Sequence, residues 1–357
     1  MAVRARLRAI SPDGGPDWSS DMAFELKVNE RVSDGITRNV KNQIEKALNY
    51  LGAKGAAPAP EKPAKGRSRP ANQPGSRQGE SGDPGSILRA TPEKDAIGEV
   101  RKCFKRVRAA LRLVRDELGV DLYHEENFSF RDAARPLTRV RDAVVLVETA
   151  NGLRPQLVRV IGPAAFAKIR AALVANRQEV RRLVIDEGKA LASVADAATR
   201  ALARLSAWKL QRDGWVAVET GLRRVYRQGR RALALAAESP AVVNLHEWRK
   251  QTKYLWHQLQ LLEARWTDTE KDLVNRTHQL ATYLGEDHDL AVLRETLAAD
   301  PLIFGGHHIL KGVFTVIDRC RGHLQQQAFA LGEEIFKDLP KVFTTRIEAL
   351  MHHEEAA

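Results

Sequence analysis

Two stretches of this chain repeat one another at a constant offset of 148 residues. In each stretch, apolar residues alternate between steps of four and three, which is the spacing of one face of an α-helix. The paired residues are Val100, Phe104, Val107, Leu111 and Val114 in the first stretch, and Trp248, Thr252, Leu255, Leu259 and Leu262 in the second. A further pair of segments, Leu137 to Glu148 and Leu284 to Glu295, superposes Asp142 on Asp289. The sequence therefore predicts two copies of one helical unit.

Most of the remaining chain is also helical in pattern. Beyond residue 91, helix formers dominate and alternating strand patterns are essentially absent. The predicted breaks lie at Gly119, near Asn127, from Asn151 to Pro163, and at Gly214, Ser239-Pro240 and Pro301. Long helices joined by short breaks fold back on one another. We therefore predict an all-α fold of two related antiparallel helical bundles that arose by internal duplication, with repeats at about 93–238 and 239–357.

The N-terminal part divides into three segments. Residues 1–22 are predicted to be disordered, and residues 23–52 to hold an amphipathic helix that packs on the bundle through Val32, Ile36 and Val40. Residues 53–92 are rich in Pro, Gly and basic residues and cannot bury enough apolar surface to fold. This segment is predicted to be a disordered linker after the first helix.

The charge balance restricts the class of partner. The chain has 57 Lys and Arg against 45 Asp and Glu, a formal charge of +12, so a polyanion is the first partner to consider. Net charge alone indicates only non-specific attraction, so the placement of the charges must decide. The chain has two cysteines, a polar stretch after its basic N-terminus and no apolar run of roughly 20 residues. These features predict a cytoplasmic protein without a membrane partner.

Basic residues recur on the helix faces in register with the predicted core. Like charges on adjacent turns repel by a few tenths of a kcal/mol per pair, and a bound polyanion would offset this cost through contacts with phosphate oxygens. A solvated face neutralised by carboxylates of neighbouring helices is the alternative, but such a face has no reason to recur with the core. The predicted binding residues are Arg38, Lys41, Arg101, Lys102, Lys105, Arg106, Arg108, Arg112, Arg131, Arg135, Arg139, His246, Arg249, Lys250, Lys253 and His257.

Four segments together resemble the CHAD family, the conserved histidine α-helical domain: IGEVRKCFKRVRAALRLV, FRDAARPLTRVRDAVVLVE, LHEWRKQTKYLWHQLQLLE and QLATYLGEDHDLAVL. The resemblance implies two related helical bundles that bind inorganic polyphosphate in a central groove, often on polyphosphate granules. It implies a groove lined by His246, Arg249, Lys250, Lys253, Arg101, Lys102, Lys105 and Arg106. The first copy departs from the family pattern, because Gly98 stands where a histidine is usual.

Other chemistry has little support in the sequence. Nucleophile, P-loop and dinucleotide motifs are absent, and no histidine cluster has metal-ligand spacing, so we predict neither catalysis nor a metal or cofactor. Asp142 and Asp289 are predicted to hold neighbouring Arg or Lys side chains and to fix the shape of the groove. The predicted function is non-enzymatic binding of inorganic polyphosphate, with other polyanions as further partners. A nucleic-acid-binding protein is the alternative, and an enzyme acting on polyphosphate is a weaker third.

Overall fold

Every regular element in the described part of the chain is a helix. The computed structural model describes residues 24–27, 30–52, 92–266 and 268–351, and these ranges contain no β-strand. The α-helices are α1 (Val32–Tyr50), α2 (Pro92–Leu113), α3 (Arg115–Leu118), α4 (Val120–Gly152), α5 (Arg154–Arg181), α6 (Ala190–Arg204), α7 (Trp215–Glu238), α8 (Val242–Leu262), α9 (Asp268–Ala299), α10 (His307–Ile335) and α11 (Pro340–Met351). The predicted all-α fold is confirmed.

The core register predicted for the repeat is present in α2 and α8. All ten paired positions, from Val100 and Trp248 to Val114 and Leu262, are buried. The two helices pack against each other, and the amide of Gln258 donates to the carbonyl oxygen of Ala109 at 3.2 Å. That these helices arose by duplication stays a prediction.

Helix α1 packs mainly on α2 and α6. Its residues Val32, Ile36 and Val40 are buried, and the preceding segment is tied to α8 because Leu26 N donates to the carbonyl oxygen of Leu261 at 2.7 Å. The segments predicted to be disordered, 1–22 and 53–92, lie outside the described residues, except that Pro92 begins α2.

The long helices α4 and α9 each cross two hydrophobic cores. The larger core joins their N-terminal parts to α1, α2, α6, α7, α8 and α11. The smaller core joins their C-terminal parts, from Leu146 in α4 and Leu290 in α9, to α5 and α10. Because α2, α4, α8 and α9 pack around the same region, side chains on their facing flanks can meet at one place.

One predicted break is absent from the structure, and another is present only at its two ends. Helix α4 continues through Asn127, because the buried side chain of Asn127 accepts hydrogen bonds from Arg108 and Arg112 of α2. In the break predicted from Asn151 to Pro163, α4 ends at Gly152 and α5 begins at Arg154. Inside α5 the chain is kinked at Gly162, where φ is +79°, and the residues between these two points are helical.

Candidate anion-binding groove

Four basic side chains from α2 and α8 converge where these helices pack together. Arg101 and Lys105 come from α2, Arg249 and Lys253 come from α8, and we call these four residues the cation cluster. Burial lowers the pKa of each, and neighbouring cations lower the pKa of Arg101, Lys105 and Lys253 further. For Lys253 the pKa falls to about 7. The fold therefore holds positive charges together at an energetic cost.

The cation cluster has no tightly bound counter-charge. Within the described residues, none of its members forms a hydrogen bond or an ion pair, and the buried Nε of Arg249 has no acceptor. Asp142 of α4 and Asp289 of α9 act on the cluster electrostatically but form no hydrogen bond to it. That they fix the shape of the groove stays a prediction. Burial raises the pKa of Asp289 although Arg249 and Lys253 act to lower it.

The buried carboxylates in the described part of the chain are paired with arginines. The carboxylate of Glu126, 0 % exposed, accepts two hydrogen bonds from Arg204 at 2.7 and 2.9 Å, and that of Glu117 is bound by Arg212. Since an uncompensated buried charge is strongly destabilising, pairing is the expected solution. The members of the cation cluster have no such ion pairs, and this favours the interpretation that the cluster is a site for an external anion.

A cavity of about 210 Å³ between α2 and α4 adjoins the cation cluster, and we call it the α2–α4 cavity. Its basic lining residues come from both helices, and no carboxylate contributes to the lining. The residues around it are Arg101, Phe104, Lys105, Arg108, Arg131, Ala134, Arg135 and Thr138. At one end, Asn127 Oδ1 accepts hydrogen bonds from Arg108 at 3.1 Å and Arg112 at 2.7 Å. The guanidinium of Arg112 also lies 4.0 Å from the ring centroid of Tyr254.

Two histidines lie beside the cluster. The exposed ring of His246 lies with its centroid 4.8 Å from that of His288 in α9. Burial and the charges of Arg249 and Lys250 lower the pKa of His246, and burial with nearby cations lowers that of His288 to about 3. Both imidazoles therefore favour the uncharged form in the absence of an anion.

Four of the predicted binding residues are either buried or lie on α1. Arg106 and His257 are buried, with Arg106 over the ring of Phe24 and His257 stacked on Trp256, so solvent does not reach them. Arg38 is held by Glu30 and by the carbonyl oxygen of Glu25. Lys41 is exposed on α1, which is not one of the four helices around the groove. The predicted contacts of these four residues with polyphosphate are not supported by their positions.

Four other predicted residues lie on the surface near the site. Lys102 and Lys250 are exposed and each pairs with a glutamate three residues earlier, Glu99 and Glu247. Arg131 lines the α2–α4 cavity but also pairs with Asp132 at 2.9 Å. Arg139 is exposed and does not line the cavity. Carboxylates therefore partly neutralise the outer edge of the predicted binding surface.

The structure adds residues that the sequence reasoning left out of the site. Arg141 of α4 acts electrostatically on Arg101 and Lys253, and His288 lies beside His246. A signal for both existed, because the aligned segments that superpose Asp142 on Asp289 also superpose Arg141 on His288. Asn127 and Tyr254 had no such signal, since their roles depend on the packing of neighbouring helices.

The fold and the groove define an all-α protein with a half-buried cationic site. A sequence model of the CHAD domain matches residues 82–298, which is more than half of the chain, so the chain belongs to the CHAD family. Among solved structures, the crystal structure of the CHAD domain from the plant Ricinus communis is similar, with a TM-score of 0.47 and 16 % identity over 93 % of this chain and 95 % of that chain. No curated protein matches the chain.

Two kinds of feature are absent from the described residues. No helix there is long and apolar enough to cross a membrane. No group of three His, Cys, Asp or Glu side chains there is placed to hold a metal ion.

Proposed function

We propose that this protein binds inorganic polyphosphate without chemical turnover, and that the phosphate chain lies across the cation cluster and along the α2–α4 cavity. The observation that carries the proposal is the convergence of four half-buried cations without ion pairs. A polyanion would supply the missing counter-charges, with Arg giving paired hydrogen bonds to phosphate oxygens and Lys acting as a point charge. Membership of the CHAD family supports the same function.

The shape of the groove supports a bare phosphate chain over duplex nucleic acid. A cavity of about 210 Å³ admits a narrow chain, whereas duplex DNA needs a broad exposed surface. Because the cations are partly desolvated, their contacts with phosphate are stronger than those of fully exposed lysines. We also propose that the protein is cytoplasmic and associates with polyphosphate granules.

Titration of the full chain with polyphosphate of defined length tests the proposal. We expect saturable binding whose affinity falls steeply with salt, because each neutralised phosphate releases a counterion. The chain-length distribution, read by ³¹P NMR after long incubation, should be unchanged if the protein is not an enzyme. Absence of binding would refute the function, and shortening of the chain would refute its non-enzymatic nature.

Gly98 offers a gain-of-function test of the groove. A Cβ at this position would meet no atom within 4 Å, so α2 has room for a larger side chain there. The repeat places Gly98 at the position of His246 in the other copy. We expect Gly98→His to tighten polyphosphate binding about two- to fivefold at pH 6 and less at pH 8, because a charged imidazole would add one contact.

The Gly98→Ala variant is the matched control for that substitution. Replacing Gly by Ala in a helix interior stabilises it by roughly 0.5–1 kcal/mol, so both variants should melt at higher temperature. Only the histidine variant should bind polyphosphate more tightly. Equal affinities of the two variants at pH 6 would contradict a contact from position 98.

A further inference from the structure

We propose that the α2–α4 cavity ends in a platform for a planar base, so that the groove also accepts a nucleoside polyphosphate. The inference rests on the proposed function for the phosphate part of the ligand. It arises from an exposed aromatic side chain, Phe128, which contacts the cavity-lining Arg131 and has no part in polyphosphate binding as described above.

The row of α4 that faces the cavity changes from basic to aromatic toward its N-terminal end. His124, Phe128, Arg131 and Arg135 follow at steps of four, three and four, which places them on one face of the helix. Arg131 and Arg135 line the cavity, and the guanidinium carbon of Arg131 lies 4.6 Å from the ring centroid of Phe128. Arg131 therefore belongs both to the cavity and to the aromatic surface beside it.

The ring of Phe128 is open to solvent yet held in place. The residue is 43 % exposed, and its ring centroid lies 5.3 Å from that of His124 with the planes tilted by 41°. The guanidinium of Arg131 is itself fixed by two hydrogen bonds to Asp132, at 2.9 and 3.1 Å. A single exposed apolar residue is common on protein surfaces, but an exposed ring in contact with an arginine that lines a cationic cavity offers a stacking surface for a base.

The spacing fits one ligand that carries both parts. At 1.5 Å per residue, Phe128 lies about 10 Å along α4 from Arg135. That span is comparable with the separation of the terminal phosphate from the base in an extended nucleoside triphosphate. The phosphates would contact Lys105, Arg108 and Arg135, while the base would stack on Phe128.

Adenosine triphosphate and inorganic tripolyphosphate have the same three-phosphate chain, but only the first has a base. Comparing their affinities distinguishes binding of the base by the platform from binding of the phosphates by the cationic cavity. We would measure both affinities by calorimetry for the full chain and for Phe128→Leu, which keeps an apolar side chain but removes the ring. The matched control is Phe314→Leu, because Arg294 lies 4.7 Å from the ring of Phe314 in a similar pair outside the cavity lining. Circular dichroism of each variant would verify that the helices remain folded.

We expect Phe128→Leu to weaken adenosine triphosphate binding about tenfold, or about 1.4 kcal/mol, and to leave tripolyphosphate binding within twofold of the unmodified chain. The control should change neither. An unchanged affinity for adenosine triphosphate, or an equal loss for both ligands, would overturn the platform. If the unmodified chain binds neither tripolyphosphate nor longer polyphosphate, the proposed function is overturned. That conclusion does not depend on the result for Phe128→Leu.

Discussion

We expect that neutralising the whole cation cluster lowers the affinity for polyphosphate and raises the melting temperature of the protein. Each charge-assisted hydrogen bond contributes roughly 1.5–3 kcal/mol, so removal of four should weaken binding at least about 10⁴-fold. Stability should rise, because burial disfavours the charged form of each residue and no ion pair compensates it. The variant carries four substitutions: Arg101→Gln, Lys105→Gln, Arg249→Gln and Lys253→Gln.

A control variant removes the same number of charges elsewhere. It replaces Arg159, Arg294, Lys311 and Lys337, which are exposed or partly exposed and lie outside the groove, by Gln. Arg294 forms a surface ion pair with Asp318, and such a pair contributes little to stability.

Calorimetry for affinity and scanning calorimetry for melting temperature would compare the two variants. The control should bind polyphosphate nearly as tightly as the unmodified chain. The cluster variant should gain about 2–4 °C for each kcal/mol of stabilisation. Full affinity in the cluster variant would place the site elsewhere, and a large drop in its melting temperature would show that these cations support the fold.

Polyphosphate binding is also expected to tighten as pH falls from about 9 to about 6. In the free protein, burial, Arg249, Arg101 and Arg141 hold the pKa of Lys253 at about 7, against the opposing effect of Asp289. The pKa values of Lys105 and His246 are lowered as well. A bound phosphate chain favours the charged forms and raises these pKa values, so binding takes up protons and is stronger at lower pH.

The lowered pKa of Lys253 has the opposite pH dependence for the stability of the free protein, which should increase as pH rises. Because the pKa of Lys253 is about 7 in the folded state and higher in the unfolded chain, the unfolded chain binds more protons above pH 7. The free energy of unfolding therefore rises with pH through this window. Polyphosphate should consequently stabilise the protein more at pH 7 than at pH 9.

Calorimetry in buffers with different ionisation enthalpies would measure the protons taken up on binding, using long polyphosphate so that chain ends contribute little. A slope of one proton corresponds to a tenfold change in affinity per pH unit. The control is Lys253→Arg, in which the charge persists across the range, so its pH dependence should be flatter. Zero proton uptake and an affinity independent of pH would contradict the lowered pKa values.

The sequence predicted the fold class and the four residues that converge in the candidate site, because both depend on helical periodicity. Residues such as Val100 and Trp248 define the buried stripe, and Arg101, Lys105, Arg249 and Lys253 lie at fixed steps beside it. Periodicity alone does not say which flank of a helix faces its neighbour. Arg106 was therefore predicted in the groove, although it lies on the flank of α2 that contacts Phe24.

Contacts between distant segments were the part that the sequence could not predict. The pairing of Asn127 with Arg108 and Arg112, which keeps α4 continuous, depends on the packing of two helices. An asparagine in a polar stretch favours a break when only local preferences are considered. The position of Phe128 beside the cavity depends on the same packing.

Competition between polyphosphate and double-stranded DNA of matched charge would show whether the groove is specific for a bare phosphate chain. We would follow it by calorimetry on the full chain at near-physiological salt. If the half-buried cations of α2 and α8 form a groove for a bare phosphate chain, polyphosphate should bind tightly and DNA should not displace it. Binding of DNA alone, or ready displacement of polyphosphate by DNA, would show that the basic surface attracts polyanions without a groove specific for a phosphate chain.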